Sequence, residues 1–256
     1  MTTYRSIAVL LCAAALMACD KNAVQEITGP APEARIKFFN FGIGAPGVNF
    51  YADDTKVSAT SSATGVESVN GVTYGGVSSG GLYSGIEPGQ YTFSGRISAL
   101  VDKDLPISSL TATIEEGKYY SFYQSGVYNT TTKTVDSFIV EDSFIEEPDY
   151  TVAYVRFVNA SFNSPAVTLY ATHTVSSVET AVGGAVAYKS GGEFTALPPG
   201  SYNLAARATG SSTNVFSRTA VSFSPGRIYT ITARGDITVT STTAANRPFL
   251  DNTLNR

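Results

Sequence analysis

Two stretches of this chain have the residue types and spacing of reactive sites. Gly42-Ile43-Gly44-Ala45-Pro46-Gly47 fits G-x-G-x-x-G, and Gly76-Val77-Ser78-Ser79-Gly80 fits G-x-S-x-G. The first pattern serves nucleotides when it opens a helix whose N-terminus meets a pyrophosphate, with an acidic residue about 20 positions later. The second presents a serine nucleophile on a strand-to-helix elbow beside a histidine base. Both chemistries need a helix to follow. After the first pattern, Val48 to Ala52 alternates as a strand. The chain has a single histidine, His173, in Thr172-His173-Thr174, where a turn should follow a strand. We therefore read the two glycine patterns as a turn and a flexible loop, and expect no enzyme and no catalytic residue. Asp102, Asp104, Glu141 and Asp142 are acids without the D-x-D-x-D-G loop that holds calcium, and read as solvated. One histidine and no spare cysteine leave nothing for structural zinc, so no metal or cofactor is expected.

A third candidate lies at the start. Arg5 precedes an apolar run from Ile7 to Met17, which ends in Leu16-Met17-Ala18-Cys19 and a polar Asp20-Lys21-Asn22. The apolar run is too short for a bilayer, which takes about 20 residues, and reads as a removable targeting segment. The ending resembles the lipobox of bacterial lipoproteins. That resemblance implies that residues 1–18 are a signal peptide and that Cys19 is acylated and becomes the first mature residue. Cys12 would be discarded with the signal, so the mature protein would fold without a disulfide. Acyl chains contribute about 0.8 kcal/mol per buried CH₂, and several on one cysteine hold a protein to a membrane. Residues 19–33, with Gly29, Pro30 and Pro32, read as a tether.

The positioning elements come from a repeat. Ala34 to Ala52 aligns with Ala153 to Ala171, bringing Phe38, Asn40, Pro46, Val48 and Tyr51 onto Phe157, Asn159, Pro165, Val167 and Tyr170. GGLYSGIEPGQYTF from Gly80 then meets GGEFTALPPGSYNL from Gly191, and EEGKYYSFYQSG from Glu115 meets SPGRIYTITARG from Ser224. Short alternating runs separated by Pro-Gly turns, without helical period, predict an all-β chain. We expect two tandem antiparallel β-sandwiches, with a barrel as the competing closure. Their expected bounds are 34–145 and 153–243, with an acidic linker 146–152 and a frayed tail 244–256. Thr55 to Val77 contains an eight-residue surplus over the second unit and reads as a variable loop or an extra edge hairpin. Ile36, Phe38, Val48, Phe50, Phe93, Tyr120 and Phe122 should face the first core. Val155, Phe157, Val167, Leu169, Phe194, Leu197, Tyr202, Val221, Phe223, Tyr229 and Ile231 should face the second. Asn40 and Asn159 fall in the inward phase and read as buried amides bridging backbones. Arg156 falls in the opposite phase and reads as exposed.

At VRFVNAS and IKFFNFG, the LPPGSY and IEPGQY turns, and the PGRIYT and EGKYYS turns, the chain resembles domain of unknown function 4397. The resemblance implies an immunoglobulin-like sandwich, often in tandem, in bacterial envelope proteins, and carries no catalytic residues. The expected role is a non-enzymatic, lipid-anchored envelope spacer or protein-interaction module, at the outer membrane, the periplasmic face of a membrane or the cell surface. The alternative is a glycan- or small-ligand-binding lipoprotein that uses Tyr74, Tyr83, Tyr123, Tyr128 and Tyr188, although Trp, the preferred sugar platform, is absent. The net charge of −4 and the lack of a basic patch argue against nucleic acid.

Overall fold

In the computed structural model, which describes residues 33–58 and 66–256, the repeat in sequence becomes a repeat of strands. The first unit holds β1 (Ala34–Ile43), β2 (Val48–Ala52), β3 (Thr55–Lys56), β4 (Gly76–Val77), β5 (Ser84–Ile86), β6 (Gly89–Ile97), β7 (Pro106–Ile114), β8 (Tyr119–Asn129) and β9 (Thr134–Glu141). The second holds β10 (Ala153–Asn159), β11 (Val167–His173), β12 (Glu179–Val186), β13 (Ser190–Gly191), β14 (Thr195–Leu197), β15 (Gly200–Ala208), β16 (Asn214–Phe223), β17 (Ile228–Arg234) and β18 (Phe249–Leu254). Each strand of one unit has its counterpart in the other. The signal peptide, Cys19 and most of the tether lie outside the described residues.

Each unit is a sandwich of two sheets. In the first, β4-β1-β8-β9, with β5 also on β1, faces β3-β2-β6-β7; in the second, β13-β10-β17-β18, with β14 on β10, faces β12-β11-β15-β16. The expectation of purely antiparallel sheets needs correction at one pairing per unit. β1 lies parallel to β8, with Phe38 opposite Phe122, and β10 lies parallel to β17, with Phe157 opposite Ile231. Chain reversals between β1 and β8 take place across both sheets, and their number is even, so β8 arrives running the way β1 does.

Alternation fills the two cores. Ile36, Phe38, Val48, Phe50, Phe93 and Phe122 close the first, and Phe38 stacks on Phe50 at 5.0 Å between ring centroids. Val155, Phe157, Val167, Leu169, Leu204, Phe223 and Ile231 close the second. Phe194, expected in that core, instead packs on Phe144 at 5.6 Å and lies against the Arg156 guanidinium. It precedes the short β14, whose inward residue is Leu197.

The outward faces of the β1 and β10 sheets are not solvated. Every residue of β10 is buried, as is nearly every residue of β1. Phe39, Tyr123 and Phe138 form a ladder of stacked rings across β1, β8 and β9, at 4.6 and 4.9 Å. Together with Phe41 they form a third apolar cluster with Val158 and Ala160 of the second unit. The result is four stacked sheets, the middle two covered on both faces, which explains why IKFFNF and AYVRFVN read as nearly continuous hydrophobic runs. Arg156 is 2% exposed, so its assignment to a solvent face is overturned by this packing of one unit on the other.

The C-terminal segment is also corrected. Residues from Phe249 onward do not fray; β18 pairs with β17, Leu250 opposite Ala233 and Leu254 opposite Tyr229, and Leu250 is fully buried. Ile237 to Thr240, which read in the sequence as a last short strand, lie in the long β17–β18 connection, with Ile237 in a turn.

Phe157→Ala should lower the unfolding free energy by about 3–5 kcal/mol. Because the third cluster couples the units, both sandwiches should melt earlier together in calorimetry. A first transition confined to the second unit, with the first unit unaltered, would contradict shared packing.

Candidate functional site

The enzyme-like patterns are parts of the scaffold. Gly42 and Ile43 end β1 and Gly44 to Gly47 turn into β2; a Cβ on Gly47 would lie 1.7 Å from the Asn70 carbonyl oxygen, so glycine serves close backbone passage there. Ser78 opens a 3₁₀ turn, is 2% exposed, and its hydroxyl accepts the Phe38 N–H at 3.3 Å. His173 ends β11. Its Nδ1 accepts from Val175 N at 3.3 Å and Ser176 N at 3.1 Å, capping the tight turn that follows. Its Nε2 faces Gly200, where even a Cβ would come within 2.3 Å. Ser78 and His173 belong to different units and neither is placed to activate the other.

The loop acids are engaged as well. Asp102 pairs with Lys133 at 2.6 Å, Asp104 accepts from the Tyr51 hydroxyl at 3.0 Å, and Glu141 pairs with Lys118 at 3.1 Å. Among the described residues no three His, Cys, Asp or Glu groups gather as metal ligands.

The two inward asparagines do what their phase implies. Asn40 donates to the carbonyls of Val72 (2.8 Å) and Pro46 (3.4 Å) and accepts from Gly42 N and Gln124 Nε2. Asn159 donates to Val186 and Pro165 carbonyls and accepts from Ser161 N. Each amide ties the end of its first strand to the loop beyond, with its own oxygen and nitrogen both paired. Tyrosines recur as turn clamps. Tyr120 and Tyr229 each accept, through the hydroxyl, the N–H of the residue five positions back, at 3.1 Å. Tyr91 and Tyr202 each donate to the carbonyl four positions back. This is the tyrosine-corner device of sandwich folds.

A polar cluster that the sequence reading missed lies between the units. Arg156 donates to Thr230 Oγ1 at 3.0 Å and the Glu141 carbonyl at 3.0 Å, and forms a buried ion pair with Asp142. The other Asp142 oxygen accepts from Ser121 at 2.8 Å and Tyr83 at 2.6 Å. Burial and the Asp142 carboxylate push the Tyr83 phenol far above its usual range, so it remains a donor. Lys37, at the position equivalent to Arg156, is likewise fully buried; it donates to Asn255 Oδ1 at 3.0 Å and lies 3.8 Å from the Tyr83 ring centroid. Desolvation pushes the Lys37 ammonium down to about 8, with Arg156 adding to the effect and Asp142 opposing it. This arrangement can hold two domains together. Arg156 and Asp142 are almost wholly buried within it.

Contacts between the units account for three of the five tyrosines considered for sugar binding. Tyr83 and Tyr123 lie in the interface, and Tyr74 faces the Arg234 guanidinium at 5.0 Å. Tyr128 packs on the first core. Tyr188 alone among the five lines a cleft, of about 640 Å³, together with Val127, Asn129, Thr134 and Asp136 of the β8–β9 hairpin and Phe162 of the second unit. Its position follows from strand direction. Asp142, beside Ser121, meets Arg156, and Ser125 further along β8 donates to the Ala160 carbonyl at 2.7 Å, so β1 and β10 run the same way. The described chain enters at the start of β1, and this cleft opens at the opposite end, across the seam.

A family model described as Domain of unknown function (DUF4397) matches residues 34–170 and again 153–254. No curated protein matches the chain. Among solved structures, a "putative cell adhesion protein" from Bacteroides ovatus ATCC 8483 covers 89% of this chain and 97% of its own at 10% identity, with a TM-score of 0.22. A likeness that distant carries no argument about this chain.

Arg156→Ala should destabilise by about 3–5 kcal/mol, because it leaves Asp142 charged, buried and without its cation. Replacing both partners by apolar residues, Arg156→Met with Asp142→Leu, should recover most of that loss in denaturant titrations. Equal instability of the single and double variants would contradict the ion-pair account. A second expectation concerns pH. Lys37 is easier to deprotonate folded than unfolded, so its burial penalty is full below pH 8 and fades as pH rises toward 10.5. Lys37→Met should therefore gain on the wild type at pH 7 and lose about 1–3 kcal/mol of that advantage by pH 10. A stability difference that stays flat across this range would show that Lys37 titrates normally.

Proposed function

The chain belongs to the DUF4397 family, and we propose that it is a non-catalytic protein of a bacterial cell envelope. It is acylated at Cys19, held to a membrane by that lipid, and its two domains act as one stiff body that carries the far end away from the anchor. We read both sandwiches as immunoglobulin-like, a reading supported by the paired tyrosine corners.

One observation carries the non-catalytic part. Ser78, His173 Nδ1 and the loop acids are each engaged by backbone turns, ion pairs or a tyrosine hydroxyl. Acyl transfer needs a nucleophile within reach of a base, and neither side chain is placed for it. The lipobox Leu16-Met17-Ala18-Cys19 supports the anchor. The tether would deliver the chain to the start of β1, where the connections are mostly short turns such as Asp53-Asp54, Glu87-Pro88 and Pro198-Pro199. The opposite end carries residues 66–75 and the connections 98–105 and 235–248. Loops held on a rigid scaffold are where interaction residues concentrate, so the outward end is the functional one. Its partner is another envelope protein or a glycan; nucleic acid is disfavoured by the net charge of −4.

Metabolic labelling with a radioactive fatty acid should mark the wild type and leave Cys19→Ser unmarked. Ester, glycoside and peptide substrate panels should show equal, background turnover for wild type and for Ser78→Ala with His173→Ala. Label retained on the Cys19 variant would remove the anchor, and turnover abolished in the double variant would make the protein an enzyme.

A further inference from the structure

We propose that the cleft across the seam at the far end binds a neutral sugar residue. The proposal deepens the reading of that end as an interaction surface and rests on it for its biological sense. Two aromatic side chains, Phe162 and Tyr188, come from the second unit; Asn129, Thr134 and Asp136 come from the first. Neither unit alone contains the site.

The lining is preorganised. The Tyr188 hydroxyl donates to Ser125 Oγ at 3.3 Å, and Ser125 is itself fixed on the Ala160 carbonyl. The Tyr188 ring also packs edge-on against Phe138 at 6.3 Å. Asn129 Oδ1 accepts from Thr131 N and Thr132 N, which leaves its NH₂ group to donate. Gly126 forms part of the lining with φ +91°, and a Cβ there would meet both Asp136 and the Tyr188 hydroxyl at 3.3 Å. A ligand would therefore find the groups in place, and little ordering is required on binding.

Charge balance selects the ligand class. Asp136 is already paired with Lys189 at 2.6 Å, and the Lys189 ammonium lies 5.5 Å from the Tyr188 ring centroid. A charged ligand would have to break that pair or be left without a counter-ion. A neutral polyol ring can donate to the free lone pairs of Asp136, accept from Asn129, and lay its C–H face on an aromatic ring. Small-ligand sites join apolar and aromatic side chains with a few placed polar groups that fix orientation, and Phe162, Tyr188 and Val127 stand here beside Asn129, Thr134 and Asp136.

The test is calorimetric or saturation-transfer titration of the full chain in detergent. The probes are glucose, galactose, mannose, N-acetylglucosamine and their β-linked disaccharides, beside glucuronate, glucosamine and a neutral tripeptide. At least one neutral sugar should bind. Val127 is 54% exposed at the rim, so Val127→Arg should block the cleft without touching either core. It and Phe162→Ala should each weaken binding at least tenfold while leaving the melting temperature unchanged. Absence of binding by every neutral sugar, preference for a charged probe or the tripeptide, or binding that survives both variants would overturn the proposal. Loss of acylation would leave the titration unaltered, so the two readings fail separately.

Discussion

The structure depends on burying the outward faces of two β-sheets against each other. That face holds two cations, Lys37 and Arg156, and one carboxylate, Asp142, all essentially excluded from water. Charges taken out of water lose solvation worth several kcal/mol each, and only close pairing with further hydrogen bonds offsets the loss. Here the offsets are present. Arg156 has Asp142, Thr230 and the Glu141 carbonyl, while Asp142 also has Ser121 and Tyr83. If the sandwiches part, Arg156 loses Asp142 and the Glu141 carbonyl. The apolar ladder Phe39–Tyr123–Phe138 beside them resists parting for the ordinary hydrophobic reason.

Geometry at the far end follows from this contact. The register of Asp142 on Arg156 and of Ser125 on Ala160 makes β1 and β10 run in the same direction, which gathers the long loops of both units at one end. It also brings Tyr188 and Phe162 beside the β8–β9 hairpin. Two beads on a flexible linker would share neither feature. The stretch that leads out of β9 is a piece of the interface: Asp142 is 1% exposed and Phe144 packs on Phe194.

Much of this was legible from residues alone. Inward positions repeat between units because both cores solve the same packing problem, so Phe38 and Phe157, or Asn40 and Asn159, announced themselves by alignment. What stayed hidden is where the copies differ. The faces that meet must complement each other, and complementary surfaces need not resemble each other. Phe39, Tyr123 and Phe138 on one side have Val158, Thr232 and Asp251 at the same register on the other. Arg156 looked solvated because alternation reports which face a residue takes, and says nothing of what covers that face. β18 escaped because it is an edge strand with a polar interface side, reached by the long segment 235–248 where β8 and β9 are joined by a tight turn. In the far-end cleft, Tyr188 could be named from its residue type and loop position. Its neighbours Asp136 and Phe162 lie far away in sequence and carried no signal.

The central claim is that the two domains form one stiff, four-layered body. Spin labels on the outermost sheets, at Thr111 of β7 and Ser217 of β16, would measure it in a chain with Cys12 and Cys19 replaced by serine. Three sheet-to-sheet spacings of about 10 Å, with a sideways offset because β7 lies over β9 and β16 over β18, put those backbones somewhat more than about 30 Å apart. Pulsed electron–electron resonance should return one narrow distance distribution near that value, lengthened by the label arms. A broad or multi-peaked distribution, as two independently tumbling sandwiches would produce, would contradict the account.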